Sequence, residues 1–123
     1  MSFKMTFRWY GDNDKISLDY IRQIPAVEGI VSAIYSIPVG EVWPEEEIMK
    51  MKKQCNDHGL TFEVVESVPV HEDIKLGNEN AAKYIENYKE NVRRLGKAGV
   101  KCICYNFIYT LKREGNKIYF PSL

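Results

Sequence analysis

Apolar positions along this chain follow two rhythms. Short β-rich runs recur, three of them led by glycine: Gly29-Ile-Val-Ser-Ala-Ile-Tyr35, Gly59-Leu-Thr-Phe-Glu-Val-Val65 and Gly99-Val-Lys-Cys-Ile-Cys-Tyr105. Between them, apolar residues fall at three- and four-residue spacing, the period of a helix with one buried face. Glycine adopts the left-handed conformation that ends a helix without a Cβ penalty. A glycine heading an apolar run therefore reads as a helix C-cap that feeds a buried strand.

Followed from the start, the pattern predicts a first strand over Met5–Tyr10, a turn at Gly11-Asp-Asn-Asp14, and a short helix N-capped by Ser17. Leu18, Ile21 and Ile24 share one face of that helix, and Pro25 ends it. A second strand is expected over Ile30–Tyr35 and a loop at Pro38-Val-Gly40. Pro44 opens the second helix, where its missing N–H costs nothing. Glu45, Glu46 and Glu47 then sit at the positive end of the helix dipole. Ile48, Met51 and Cys55 form its buried stripe, and His58 beside Gly59 reads as a cap on the last carbonyls. A third strand spans Thr61–Val65, and a polar loop runs from Glu66 to Asn78. The third helix runs from about Asn80 to Ala98, with Ala81, Tyr84, Ile85, Tyr88, Val92 and Leu95 in helical register. The fourth strand is Lys101–Tyr105, and Ile108–Phe120 reads as a β-hairpin or an irregular tail.

Alternating strands and helices imply a parallel sheet with helical crossovers. At 123 residues the chain is one α/β domain by length. Equal numbers of acidic and basic residues give a formal net charge of zero, so nothing electrostatic favours nucleic acid or an anionic membrane surface. No apolar run has signal-peptide or membrane-span length. An odd count of three cysteines without an export signal points to reduced thiols in the cytoplasm.

In parallel α/β folds, functional residues gather at the C-terminal ends of the strands. Those ends offer Arg8, Trp9 and Tyr10, then Tyr35, then Glu66, Ser67 and His71, then Tyr105 and Asn106. The set suits a small anionic polyol. Arg8 is placed to clamp a carboxylate through two parallel hydrogen bonds, or else to pair with a surface acid. For His71, four roles stand open: general acid/base, metal ligand, hydrogen-bond donor, or a solvated loop residue. Cys102 and Cys104 share one face of a strand and read as core thiols, because no Cys-x-x-Cys or His-x-x-x-His spacing supplies further metal ligands. No phosphate-binding glycine loop, nucleophile elbow or nucleotide fingerprint is present.

Several segments together carry a resemblance. Phe7-Arg-Trp-Tyr-Gly11, Ile24-Pro25 followed by Gly29-Ile-Val, Pro38-Val-Gly40 with Trp43-Pro44, Glu66-Ser-Val-Pro-Val-His-Glu-Asp-Ile-Lys75, Tyr84-Ile-Glu-Asn-Tyr-Lys89 and Cys104-Tyr-Asn-Phe107 occur in an order and spacing that closely resembles the N-terminal part of the mannonate dehydratase family. The resemblance implies the first half of a (β/α)8 TIM barrel of the xylose-isomerase-like type: four parallel strands, three helices and a hairpin or irregular tail. It implies a lyase of hexuronate (glucuronate) catabolism, which removes water from D-mannonate to give 2-dehydro-3-deoxy-D-gluconate with Mn²⁺ or Fe²⁺. A proton next to a carboxylate is weakly acidic, so the developing enediolate needs a cation and the leaving hydroxyl an acid. By the resemblance, Arg8 and His71 match substrate-side positions, and geometry adds Tyr10 and Asn106.

The resemblance covers residues 5–107, and a partial-barrel domain is therefore expected over 1–107 with a divergent tail over 108–123. In the family, Tyr-Asn-Phe leads into a Met-Pro-Val-Phe-Asp-Trp-type segment; here Ile108-Tyr-Thr-Leu-Lys-Arg113 follows. The family's metal ligands come from later strands, so no metal ligand is expected in this chain. A complete barrel takes about 250 residues. The expectation is a truncated, frame-shifted or split form that is inactive alone and works, if at all, with a complementing chain or as a homo-oligomer. The alternative is a non-catalytic α/β module that associates through its open sheet edges. An isomerase of the same superfamily is disfavoured by Val68-Pro-Val-His-Glu-Asp73.

Overall fold

Ser17 caps a helix as its position predicts, with its hydroxyl accepting a hydrogen bond from the Tyr20 N–H at 3.2 Å. That helix is the first of the crossovers in a computed structural model describing residues 2–107, 112–114 and 117–119. The elements are β1 (Met5–Arg8), α1 (Leu18–Arg22), β2 (Val27–Ser32), α2 (Glu45–Asp57), β3 (Thr61–Glu66), α3 (Glu72–Leu76), α4 (Ala81–Lys97), β4 (Cys102–Cys104), β5 (Lys112–Glu114) and β6 (Lys117–Tyr119). Strands β1-β2-β3-β4 lie side by side in chain order, and every neighbouring pair is parallel. This is the expected α/β layout. β5 and β6 pair antiparallel, Lys112 opposite Tyr119. The rest of the tail reading (108–111, 115–116 and 120–123) lies outside the described residues.

The helices pack their apolar faces on one side of the sheet. Ile21 of α1, Ile48, Met51 and Cys55 of α2 and Leu95 of α4 join Ile30, Phe62 and Val65 in one buried core. The α2 stripe is the one that spacing predicts. The α4 stripe is so only in part: Leu95 is buried and Tyr88 packs against the core. Ile85 and Val92 stay 39% and 40% exposed, while Asn91 is only 3% exposed. Asn91 is buried because it works on the backbone of the β2–α2 loop. Its Oδ1 accepts from the Trp43 N–H at 2.7 Å and its Nδ2 donates to the Glu41 carbonyl at 3.1 Å. Asn87 donates to the Gly40 carbonyl at 2.9 Å and Arg94 to the Trp43 carbonyl at 3.1 Å, so residues one helical turn apart stitch the loop to α4.

Two of the three leading glycines cap helices, Gly59 with φ +70° and Gly99 with φ +94°. Gly29 does not. It lies within β2, which begins at Val27, and Ala26 takes the positive φ instead. Gly29 is small for a packing reason: a Cβ there would stand 2.6 Å from Glu63 Cγ and 3.1 Å from Thr6 Cγ2. Glu63 occupies that space because β3 bulges. Ile30 pairs with Phe62 and Val31 with Val64, leaving Glu63 with no partner on β2. Its carboxylate is buried and meets Lys4 Nζ at 3.0 Å.

The polar loop expected over residues 66–78 contains a further helix, α3, N-capped by His71 and closed by Gly77 at φ +65°. A five-residue helix is too short to show a period. The cysteines also differ from expectation. Cys55 is buried, and burial pushes its thiol pKa up to about 12. Cys102 is exposed and Cys104 only half-buried, because among the described residues β4 pairs only with β3 and the helices cover its other face, where Ile103 meets the core. Desolvation, then Cys102, raises the Cys104 pKa.

Alkylation of the native chain with iodoacetamide at pH 8 should modify Cys102 before Cys104, and Cys55 only after unfolding, as read by peptide mass mapping. Asn91→Ala leaves the buried Trp43 N–H unpaired and should cost about 1–3 kcal/mol, measured as a lower urea midpoint at unchanged m-value.

Candidate functional site

Arg8, the last residue of β1, reaches across the end of β2 to Glu66, the last residue of β3. Two strand spacings separate them, about 10 Å, which only long side chains bridge. Arg8 Nη2 meets Glu66 Oε2 at 2.7 Å and donates to the Glu66 carbonyl at 3.3 Å. Nη1 donates to the Tyr10 hydroxyl at 3.4 Å, and the guanidinium carbon lies 5.3 Å from the Tyr10 ring centre. The Tyr10 hydroxyl first, and then the Glu66 charge, hold the Arg8 pKa above its ordinary value against the opposing pull of desolvation. Tyr35 stands beside Tyr10, ring centres 6.1 Å apart, and burial raises its hydroxyl pKa.

These groups line an open cavity of about 380 Å³ at the C-terminal ends of the strands, with Ser67 and Asn106 adding hydrogen-bonding groups and Ile37, Val39 and Pro69 an apolar wall. Tyr10, Ala33, Ile34 and Tyr35 also line a neighbouring cavity of about 240 Å³ and so stand between the two. Chemically, the larger cavity presents a fixed cation, a carboxylate, hydroxyls and an amide. The Arg8–Glu66 pair is solvent-accessible, and such pairs are worth about 0–1 kcal/mol. An incoming carboxylate can therefore take over the guanidinium fork at little cost, leaving Glu66 to accept hydrogen bonds from hydroxyls.

The structure thus brings Arg8, Tyr10 and Asn106 to one cavity, together with Tyr35, Glu66 and Ser67. His71 stands behind the cavity wall, one residue beyond Val70, and its ring stacks on Tyr84 with centres 3.8 Å apart. Trp9 belongs to the core, 4% exposed. Tyr105 faces a separate groove with Val70, Ile74, Ile85 and Tyr88. Glu66 as the partner of Arg8 depends on the order of the strands, which the sequence alone does not display.

The residues present do not fit the divalent metal that the resemblance implies. Among the described residues no group of three His, Cys, Asp or Glu side chains could hold a metal ion. Glu66 is engaged by Arg8, and His71 Nδ1 accepts the Asp73 N–H. Also among the described residues, no helix is long and apolar enough to cross a membrane.

Comparison with known proteins gives the family of the chain. The family model described as D-mannonate dehydratase (UxuA) matches residues 3–118. The mannonate dehydratase of Geobacillus thermodenitrificans (strain NG80-2) is 65% identical over 106 residues, 85% of this chain and 29% of that protein. That of Thermotoga maritima is 60% identical over the same share of each. The crystal structure of mannonate dehydratase from Streptococcus suis serotype2 superposes with a TM-score of 0.86 at 47% identity, covering 90% of this chain and 33% of that one. The chain therefore spans about a third or less of the length of these relatives. A four-stranded parallel sheet and a family-model match over residues 3–118 place the chain in the mannonate dehydratase family.

Proposed function

We propose that this chain forms the substrate-carboxylate side of a mannonate dehydratase site, in the conversion of D-mannonate to 2-dehydro-3-deoxy-D-gluconate and water. The observation that carries this reading is the Arg8 guanidinium, held by Tyr10 and Glu66 at the mouth of the cavity. Arg8 clamps the sugar-acid carboxylate. Tyr10 and Asn106 bind hydroxyls along the chain of the polyol, and His71 contributes from the rim. A planar five-donor cation suits a carboxylate better than a lysine would, because both oxygens are fixed at once. The Mn²⁺ or Fe²⁺ of the reaction takes its ligands from elsewhere in the full-length enzyme. Alone, the chain binds the sugar acid and does not turn it over. Its three unpaired cysteines suit the reducing cytoplasm, where glucuronate catabolism belongs.

A second reading, an α/β module that associates through its sheet edges, rests on one observation. Among the described residues β1 and β4 each have a strand neighbour on one side only. A discrete dimer by light scattering, without sugar-acid binding, favours it.

Titration of the ¹⁵N-labelled chain with D-mannonate should shift amide signals around Arg8, Tyr10 and Asn106. Arg8→Ala should weaken binding roughly tenfold or more, the loss of a charge-assisted hydrogen bond of about 1.5–3 kcal/mol. Shifts that survive Arg8→Ala unchanged would sink the carboxylate clamp. Turnover by the chain alone with Mn²⁺ would overturn its being a binding half.

A further inference from the structure

His71 is held more tightly than a loop histidine needs to be. It is the N-cap of α3, and its Nδ1 accepts the Asp73 backbone N–H at 3.1 Å. One ring face stacks on Tyr84 at an interplanar angle of 17°. Gly40 closes in on both rings: with φ +89°, a Cβ there would stand 2.8 Å from His71 Cδ2 and 2.7 Å from Tyr84 Cδ1. Gly40 itself is tied to α4 through the Asn87 side chain. The stack is thus anchored from β3's outgoing loop, from the β2–α2 loop and from α4.

We infer that His71 is locked as the Nε2–H tautomer, serving the site as a hydrogen-bond donor and not as a base or metal ligand, with Gly40 and Tyr84 as its positioning residues. The donor role rests on the mannonate dehydratase reading; the locked tautomer does not. A backbone N–H needs a lone pair at Nδ1, so the single proton of a neutral ring sits on Nε2. With that proton in place, Nε2 has no lone pair for a metal and none to take a proton from substrate. Turning the ring over would put a C–H in place of the Nδ1 acceptor and break the α3 cap. Asp73 Oδ2, at 3.9 Å from Nδ1, is too distant to draw the proton to that side. Val39 and Pro69, neighbours of Gly40 and Val70, line the cavity, and the His71 side chain behind them remains 25% exposed.

Two-bond ¹H–¹⁵N correlation spectra of the full chain read the tautomer directly. The expected result is a protonated-type Nε2 and an unprotonated-type Nδ1 for His71, with no selective broadening of its ring signals by Mn²⁺ alone. Gly40→Ala and Tyr84→Leu should move the two nitrogen shifts towards each other as the tautomers mix. An Nδ1–H tautomer in the unaltered chain, or selective Mn²⁺ broadening at His71, overturns the inference without recourse to any variant. If D-mannonate shifts Arg8 and Tyr10 but leaves the His71 ring untouched, the donor role fails while the carboxylate clamp stands. If it shifts none of the three, the mannonate reading fails while the locked tautomer stands.

Discussion

The grip of α4 on the backbone of residues 40–43 is the constraint from which the rest of the site follows. Asn87, Asn91 and Arg94 satisfy carbonyls and an N–H that would otherwise be stranded beside the buried Trp43. Fixing that loop sets where Val39 stands in the cavity wall, where Gly40 meets the His71–Tyr84 stack, and where Pro44 starts α2. A buried amide carries this burden well because one side chain offers both a donor and an acceptor. An apolar residue at position 91 would fill the space and leave the loop's polar groups unsatisfied.

The electrostatics of the cavity centre on one accessible ion pair. Arg8 is already paired, yet with a partner that is exposed and cheap to replace. Tyr10 serves as both hydrogen-bond acceptor and ring surface for the same guanidinium, which holds the cation at the cavity mouth. Ser32 adds a short bond to the Trp9 carbonyl, tying the segment after β1 to β2 so that the base of Arg8 does not swing.

The alternation of strands and helices was legible from the sequence, as were the cap at Ser17, the α2 stripe and the parallel direction of the strands, because each depends on local spacing or on a strong topological rule. What stayed hidden depended on partners far along the chain. Gly29 looks like Gly59 and Gly99 in sequence, and only the bulge at Glu63 reveals that it makes room for a neighbouring strand. Asn91 reads as a polar residue on the wet side of a helix until the loop it serves is in place. Cys102 and Cys104 have strand spacing, but spacing does not tell which face the helices cover. Arg8, Tyr10 and Asn106 were singled out because strand ends can be located from sequence; Glu66 gains its part only from strand order.

Because all four strands run the same way, with the helices on a single face, each strand delivers its last residues to the same rim. A rim built in this manner grows by accretion. Any further parallel strand laid against β4 would set its own terminal side chains next to Asn106 without disturbing Arg8 on the far side. Different stretches of polypeptide can then contribute separate halves of one reaction, binding on one arc and metal chemistry on another. Each arc can be altered while the other keeps its shape.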